Sequence, residues 1–598
     1  MQKLPLRPLR LIRLQSIDVK SDGEMAEKSK GIRVENAEET GNNKIGTASI
    51  SEKSVRMQSD IKERELTQEQ TAANNLLRRT PNNYLFNQVY GLWFYISSFL
   101  LTVFITRSVP PAQYGVYAVV LTAYNTILYS VALGLEDATT TFIPRILAEH
   151  GEAGAAKLTR YLLEIRVLVL LLGTGLILFG LPGLAALIAS LPIPGSTQFA
   201  RGLADPILLS YSTPLAVYVL GTGITNLLSA LCTARMRVQI VLLIGGLLQL
   251  GLLSAGFFLL QAGWGVYGVV WMQAIGSLIS AVAFAIWQAP FLLKMGTDYR
   301  PPLKAIIQVG LSAWVTNIAS GALLKQISIT LLGIFAVSLT DIGYFNLSFQ
   351  LADAANTLLI SGFIGVGSSA LAVAFVGNHY DRLANTWQVL IKVETLLAAP
   401  GLIFCLFNAS NIADALYGSK FDPVGPLLAI FVFFNLLVRV LGATIHQASL
   451  YVIGKPRSVV ISQWAGILCV ILAGCVLIPI WGAAGALIAD GIARTVTGIF
   501  LLFFLLRYLP SQYSKELLSF TLRFLLALVI AALPSILWHP NNRVLLGASG
   551  GLFILLCIGL LFWIKPLNAS DMELLRQVNP RAAKYVHWFA RKAYAKTT

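Results

Sequence analysis

An apolar run of about 20 residues, followed by a short polar or charged break, recurs from about Tyr84 to Lys565. A helix of about 20 residues is about 30 Å long, which is the thickness of the hydrocarbon core of a bilayer. Only 12% of the residues are charged, against roughly 25% in a soluble domain. Because helices satisfy their own backbone hydrogen bonds in lipid, the pattern predicts an all-α polytopic membrane protein.

The apolar runs predict about fourteen transmembrane helices. We place them near residues 84–106, 113–137, 162–188, 206–231, 238–260, 266–288, 305–335, 341–375, 385–408, 424–448, 458–479, 483–506, 518–537 and 544–563. Segment 341–375 is rich in Gly, Ser and Asn, so a count of twelve or thirteen spans stays open if this segment is partly re-entrant.

The net charge of +16 does not indicate nucleic-acid binding, because the basic residues crowd alternate loops. With the N-terminus inside, thirteen lie in the cytoplasmic breaks, namely Arg145, Lys157, Arg160, Arg235, Arg237, Lys294, Arg300, Lys304, Arg382, Lys455, Arg457, Arg507 and Lys515. The opposite breaks hold four, namely Arg107, Arg201, Lys420 and Arg543. This positive-inside bias predicts a multi-pass protein of the plasma (inner) membrane with both termini in the cytoplasm.

Two terminal segments differ from the apolar region. Residues 1–80 combine charged and polar residues with almost no aromatics, which predicts a disordered cytoplasmic tail. Residues 566–598 predict an amphipathic cytoplasmic tail. The five cysteines lie in apolar spans without metal-type spacing, so we expect no metal and no cofactor.

Short motifs recur in the same order at offsets of 228, 217 and 220 residues. The pairs are Tyr114-Gly115 with Ile342-Gly343, Trp264-Gly265 with Trp481-Gly482, and Arg237 with Arg457. Six spans separate the copies, so both copies cross the membrane in the same sense and are related by an axis along the membrane normal. Chance matches among 49 glycines are the alternative. The duplication predicts a six-helix N-lobe at 81–290, a six-helix C-lobe at 301–508, and two further helices at 515–565.

The stretch from Phe104 to Tyr117, followed by Gly134-Leu-Glu136 and Arg145, resembles the opening helices of a transporter family. That family is the polysaccharide exporters of the multidrug/oligosaccharidyl-lipid/polysaccharide superfamily, which includes O-antigen flippases and the lipid II flippase. The resemblance covers almost all of residues 80–565. It implies two six-helix lobes, two further helices, and export of a polyprenyl-diphosphate-linked oligosaccharide by alternating access. Related sequences often have an Asp where this chain has Ser328, so the role of that Asp does not transfer.

Charged residues within spans are expensive, so each one needs a partner or a function. Four polar helical faces belong to the second copy, and they contain Trp314, Asn317 and Lys325; Asn346, Gln350 and Asp353; Asn435, Arg439 and His446; and Asp490 with Arg494. We expect a hydrated, net cationic cavity in which Lys325, Arg439 and Arg494 bind the diphosphate of the substrate, assisted by Asn435 and Gln350. Internal pairing is the alternative, above all for Asp490 with Arg494, which are spaced i, i+4.

Four carboxylates are candidates for coupling to a proton or Na⁺, because burial makes their protonation depend on conformation. They are Asp353, Asp490, Glu136 and Glu394, and the neighbouring Asp137 is a further candidate. Each of them is equally a candidate partner for a nearby cation.

Three functions therefore compete. The first is a flippase or exporter of a polyprenyl-diphosphate-linked oligosaccharide for cell-surface polysaccharide biosynthesis, with the lipid bilayer and other polysaccharide-assembly membrane proteins as partners. The second is a cation-coupled exporter of small molecules on a related fold. The third is a membrane enzyme of envelope glycan assembly. No P-loop, HExxH motif or large outer domain is present in the sequence, so we expect a transporter and not an enzyme.

Overall fold

The computed structural model describes residues 86, 88–190, 197, 206–296, 299–317, 324–335, 337–360, 363–375, 379–509, 512–538 and 542–565. Every regular element in these ranges is helical, which confirms the predicted all-α membrane class. The predicted tails at 1–80 and 566–598 lie outside the described residues.

The described helices from Gln88 to Leu292, here called the N-terminal half, include several that are interrupted at glycines. They are α1 (Gln88–Ser108), α2 (Pro111–Val131), α3 (Leu135–Gly175), α4 (Leu181–Ala189), α5 (Pro206–Ser210), α6 (Ser212–Ala234), α7 (Val238–Gln261) and α8 (Gly265–Leu292). Between α2 and α3 the chain bends by 45°. Gly134 there has a φ of 63°, which is favourable only for a residue without a Cβ. Within α3, Gly151 has φ 66° and ψ −169° and divides that element into two segments.

The described helices from Leu303 to Leu506, here called the C-terminal half, are broken in the same manner. Its helices are α9 (Leu303–Asn317), α10 (Leu324–Ile334), α11 (Leu339–Ile360), α12 (Phe363–Ala374), α13 (Tyr380–Phe407), α14 (Ala409–Tyr417), α15 (Val424–Leu441), α16 (Ala443–Val452) and α17 (Pro456–Leu506). The last two helices, α18 (Gln512–Trp538) and α19 (Arg543–Ile564), follow, and α18 packs against α13.

Ten described helices are long and apolar enough to cross a membrane, or eleven if α2 and the first segment of α3, Leu135–Leu147, count together as one bent span. The count of fourteen is not confirmed by this criterion and stays a prediction. The predicted count of fourteen differs from the ten helices found because several helices are interrupted within a span or between two spans. Element α17 has 51 residues but is interrupted at Gly482, whose φ is 53°. A straight helix of that length would measure about 76 Å, more than twice the thickness of the hydrocarbon core.

The outer faces of the helices carry large apolar side chains. Leu247 on α7 is 63% exposed, and Phe258 on the same helix is 69% exposed. Such faces are stable only in lipid, because soluble proteins rarely expose continuous apolar surface of this extent. Buried polar residues lie instead between the helices, which places the candidate site inside the bundle.

The two halves contact each other at glycines. A Cβ built on Gly115 of α2 would lie 2.5 Å from the carbonyl carbon of Leu339, and Gly343 of α11 faces Pro111 and Gly115 in return. Gly115 and Gly343 are the glycines that the sequence repeat pairs. A second close contact joins Gly134 to Gly310 of α9. About 28 Å of helical chain separates Gly115 from Gly134, so the halves touch near both ends of one span.

Candidate functional site

A polar cavity of 450 Å³ lies among the helices of the C-terminal half. Side chains from α10, α11, α15, α16 and α17 line it, including Lys325, Asp353, Asn356, Asn435, Arg439, Thr444, Gln447, Gln463 and Arg494. Three predicted cations, one predicted amide and one predicted carboxylate thus share a single space. Every residue that lines this cavity belongs to the C-terminal half.

Arg439 is placed at a break in the helix. Gly442 interrupts the chain between α15 and α16 with a φ of 78°. The guanidinium of Arg439 donates to Thr444 beyond the break at 2.6 Å, and also to Glu394 and Asn356 at 2.6 Å each. Because Glu394 is fully buried and Arg439 is 13% exposed, this ion pair is largely desolvated. Arg439 therefore braces the break and presents only part of its guanidinium to the cavity.

Arg494 is held on α17 by its own helix. Its Nε donates to Asp490 at 2.8 Å, which is the i, i+4 pairing that the sequence suggested. Its Nη1 lies 3.9 Å from Asp353, and its guanidinium lies 5.1 Å from the ring centres of both Phe349 and Phe431. These contacts fix the guanidinium at the cavity wall, with one buried carboxylate behind it and one partly exposed carboxylate beside it.

Lys325 differs from both arginines. Among the described residues it forms no ion pair within 4 Å, although Asp353 and Asp490 act on it electrostatically from farther away. Its Nζ lies 5.2 Å from the ring centre of Phe349, a cation–π distance. Lys325 is thus the cavity cation whose hydrogen-bond donors are most available to an anionic ligand.

The charges of the cavity are nearly balanced. Lys325, Arg439 and Arg494 line it together with Asp353, while Glu394 and Asp490 lie directly behind and are fully buried. If all six groups are ionised, the formal charges cancel. The expected net positive charge is therefore present only among the residues that line the cavity, because the two carboxylates behind them cancel it. An anion that binds in the cavity competes with these carboxylates for the two arginines.

Several polar atoms around the cavity are buried without a protein partner in the described part of the chain. They include Asn435 Nδ2, Gln326 Oε1, Glu394 Oε2 and Asp490 Oδ1. Each unsatisfied buried group costs about 1–3 kcal/mol, so water or a ligand is needed to satisfy them.

The remaining predicted residues lie elsewhere. Gln350 accepts a hydrogen bond from Thr102 of α1 at 3.3 Å and does not line the cavity. His446 is fully buried and accepts a hydrogen bond from Trp387 Nε1 at 3.0 Å. Glu136 lies in the N-terminal half, where it pairs with Arg166 at 2.7 Å.

Sequence reasoning missed two buried cations. Arg166 on α3 is fully buried, and Lys392 on α13 is 3% exposed. Both residues lie inside apolar runs of the sequence, and a charged residue within an apolar run is the signal that identifies them. Glu394 follows Lys392 by two residues, so α13 carries charge on two different faces.

Residues 181–426, which include Lys325, Asp353 and Glu394, match the model of the polysaccharide biosynthesis protein family. No curated protein sequence matches the chain significantly.

Solved structures share the fold at low sequence identity. The lipid II flippase MurJ in an inward closed conformation superposes with a TM-score of 0.58 at 12% identity, over 83% of this chain and 99% of MurJ. An inward-facing multidrug resistance MATE family transporter of the MOP superfamily superposes with a TM-score of 0.53 at 16% identity, over 71% of this chain and 96% of that transporter. The chain therefore matches a polysaccharide biosynthesis family model over residues 181–426, and its fold is similar to those of MurJ and of that MATE family transporter, in agreement with the resemblance noted in the sequence.

Proposed function

We propose that this protein flips or exports a polyprenyl-diphosphate-linked oligosaccharide across the plasma membrane for cell-surface polysaccharide biosynthesis. In this proposal the cavity of the C-terminal half binds the diphosphate. The observation that carries it is the position of Lys325, which lines a 450 Å³ cavity beside Arg439 and Arg494 and forms no ion pair with a described residue. Lys325 supplies charge and three rotatable donors, and the arginines add planar donor arrays that suit phosphate oxygens.

Alternating access is supported by the contacts between the halves. They approach at Gly115 with Leu339 and again at Gly134 with Gly310, which lie near the two ends of α2. Opening one contact while the other stays closed would expose the cavity to one side only. We further propose two lobes at 81–290 and 301–508, helices at 515–565, and cytoplasmic termini, since the family fold and the loop charges favour this arrangement.

The direct test uses purified protein in vesicles that contain a fluorescent polyprenyl-diphosphate oligosaccharide, with quenching by a membrane-impermeant reductant to report its leaflet. We expect the protein to speed transfer between leaflets and Lys325→Met to abolish most of that gain. Lys304→Met is the matched control, because Lys304 is exposed at the start of α9 and lies outside the cavity. Equal transfer with and without protein would exclude the proposal.

A second candidate function is cation-coupled export of a small molecule. The observation that favours it is Asp353, a cavity carboxylate that is 45% exposed and 3.9 Å from Arg494. Proton or Na⁺ binding at Asp353 would weaken its pull on Arg494 and couple the cavity to an ion gradient. Drug-stimulated proton or Na⁺ flux in the same vesicles, without transfer of the lipid-linked sugar, would favour this candidate over the first.

A further inference from the structure

A second polar cavity, of 600 Å³, lies in the N-terminal half. It shares no lining residue with the cavity of the C-terminal half. We call it the N-terminal pocket. It is bordered by α2, α3 and α6, and by Trp314 of α9 from the other half. Its volume is within the range of about 300–1,000 Å³ that is usual for small-molecule sites.

One wall of the N-terminal pocket is a polar stripe on α6. Asn226, Ser229 and Thr233 are spaced i, i+3 and i+7 and therefore share one helical face. The hydroxyls of Ser229 and Thr233 donate to carbonyls of their own helix at 3.0 and 3.1 Å, so their oxygens remain as acceptors toward the pocket. The Asn226 side-chain amide has no hydrogen bond to any described residue, which leaves both its donor and its acceptor for a ligand.

The charged groups make this pocket unsuitable for phosphate. Arg166 is fully buried, and its guanidinium donates to the carbonyls of Gly223, Val131 and Ala132 and to Glu136 at 2.7–3.1 Å. With its donors engaged, Arg166 offers little to an anion. The other charged residues of the lining are the carboxylates of Glu136 and Asp137, which repel one.

The remaining wall is aromatic. Trp314 donates its indole N–H to the backbone carbonyl of Tyr129 at 2.8 Å, which fixes the ring at the edge of the pocket. An indole supplies a flat apolar surface for the C–H face of a pyranose ring, while amides, hydroxyls and carboxylates bind the sugar hydroxyls. Amides, hydroxyls, carboxylates and an aromatic ring, without an available cation, suit a carbohydrate better than a phosphate.

We infer that the N-terminal pocket binds the uncharged sugar residues next to the diphosphate of the carrier lipid, an inference that rests on the proposed function. The two cavities then divide the substrate: the C-terminal half holds the diphosphate, and the N-terminal half holds the first hexose or N-acetylhexosamine units. Trp314 comes from α9 of the other half, so a bound sugar contacts both halves at the point where Gly134 meets Gly310.

The experiment compares two fluorescent lipids in reconstituted vesicles, one a polyprenyl diphosphate that carries an uncharged disaccharide and the other the bare polyprenyl diphosphate. For the double variant Asn226→Leu, Ser229→Ala we expect the ratio of disaccharide-lipid transfer to bare-lipid transfer to fall at least about tenfold, since two ligand hydrogen bonds are lost. Ser254→Ala is the matched control, because Ser254 is exposed on α7 and bonds only within its helix. Continued transfer of the bare lipid shows that the variant is folded.

Three outcomes overturn the inference. If both lipids slow equally, the stripe has no part in sugar recognition, and if neither slows, the pocket is not used. The third outcome is inhibition of disaccharide-lipid transfer by a quaternary ammonium ion but not by free disaccharide. If Trp314→Phe weakens that inhibition, the pocket is a cation site. Failure of the unaltered protein to move either lipid would reject the proposed function itself, whereas an unchanged ratio in an active protein rejects the sugar site alone.

Discussion

Substitution of Gly115 by alanine tests whether the contact between α2 and α11 is a gate. The built Cβ would lie 2.5 Å from the carbonyl carbon of Leu339. Non-bonded carbons need about 3.5 Å, so the two helices must separate by at least about 1 Å. The blocking atoms belong to the backbone and cannot rotate away.

The cost of this overlap is confined to conformations in which the contact is closed. Overpacking of this kind costs about 1–3 kcal/mol. A cost of that size shifts the ratio of closed to open molecules by roughly 5- to 150-fold. We therefore expect Gly115→Ala to leave the protein folded but biased toward opening at the α2–α11 end.

Accessibility of Asn346 provides the assay. Asn346 is 2% exposed and donates to Tyr114 at 2.9 Å, so it lies beside the contact and is covered while the contact is closed. In a background without the five native cysteines, we expect Asn346→Cys to react faster with an impermeant maleimide when Gly115→Ala is present. Gly251→Ala is the control, because no atom lies within 4 Å of a Cβ at that helical position.

The reciprocal glycine adds a graded comparison. A Cβ on Gly343 would lie 3.0 Å from the Pro111 carbonyl oxygen, a milder overlap than that at Gly115. We expect Gly343→Ala to accelerate labelling by less than Gly115→Ala. No acceleration in Gly115→Ala over the Gly251→Ala control, or a larger effect at Gly343, would refute the steric reasoning.

Arg439→Leu leaves the buried carboxylate of Glu394 without its cation, so we expect this substitution to lower the melting temperature. Adding Glu394→Gln should restore much of the lost stability. If the double variant melts no higher than Arg439→Leu alone, loss of the ion pair is not the cause of the destabilisation. Reporters at Lys20 and Thr598 should both be cytoplasmic, and opposite sides would exclude an even number of spans. An experimental structure should superpose 84–288 on 305–506 by rotation about the membrane normal, and superposition only after inversion would contradict a parallel repeat.

The membrane class of this protein could be predicted from its sequence because the signal is local. Each run near 20 apolar residues must satisfy its own backbone in lipid, so run length alone indicates a spanning helix. The family resemblance was predictable for a similar reason, since short motifs such as Tyr114-Gly115 keep their order and spacing. The sequence pairing of Gly115 with Gly343 also marked two residues that meet in the fold.

The contacts within the candidate site could not be predicted from the sequence, because they join residues that are far apart along the chain. Lys325, Asp353, Asn435, Arg439 and Arg494 were identifiable as costly polar residues in apolar spans, and they line one cavity. Which cation has a partner was decided by packing between helices that are distant in sequence. Arg439 meets Glu394 across 45 residues, and Arg166 meets Glu136 across 30.

The sequence by itself therefore determined the lipid environment, the helical class and the set of polar residues, because hydrophobicity and helical period act within one segment. Only the tertiary structure decided that Arg439 braces the break at Gly442, that Lys325 is left without an ion pair among the described residues, and that Trp314 joins Asn226 at a second pocket. Those outcomes follow from the bends at glycines, since a change in helix direction determines which distant side chains meet.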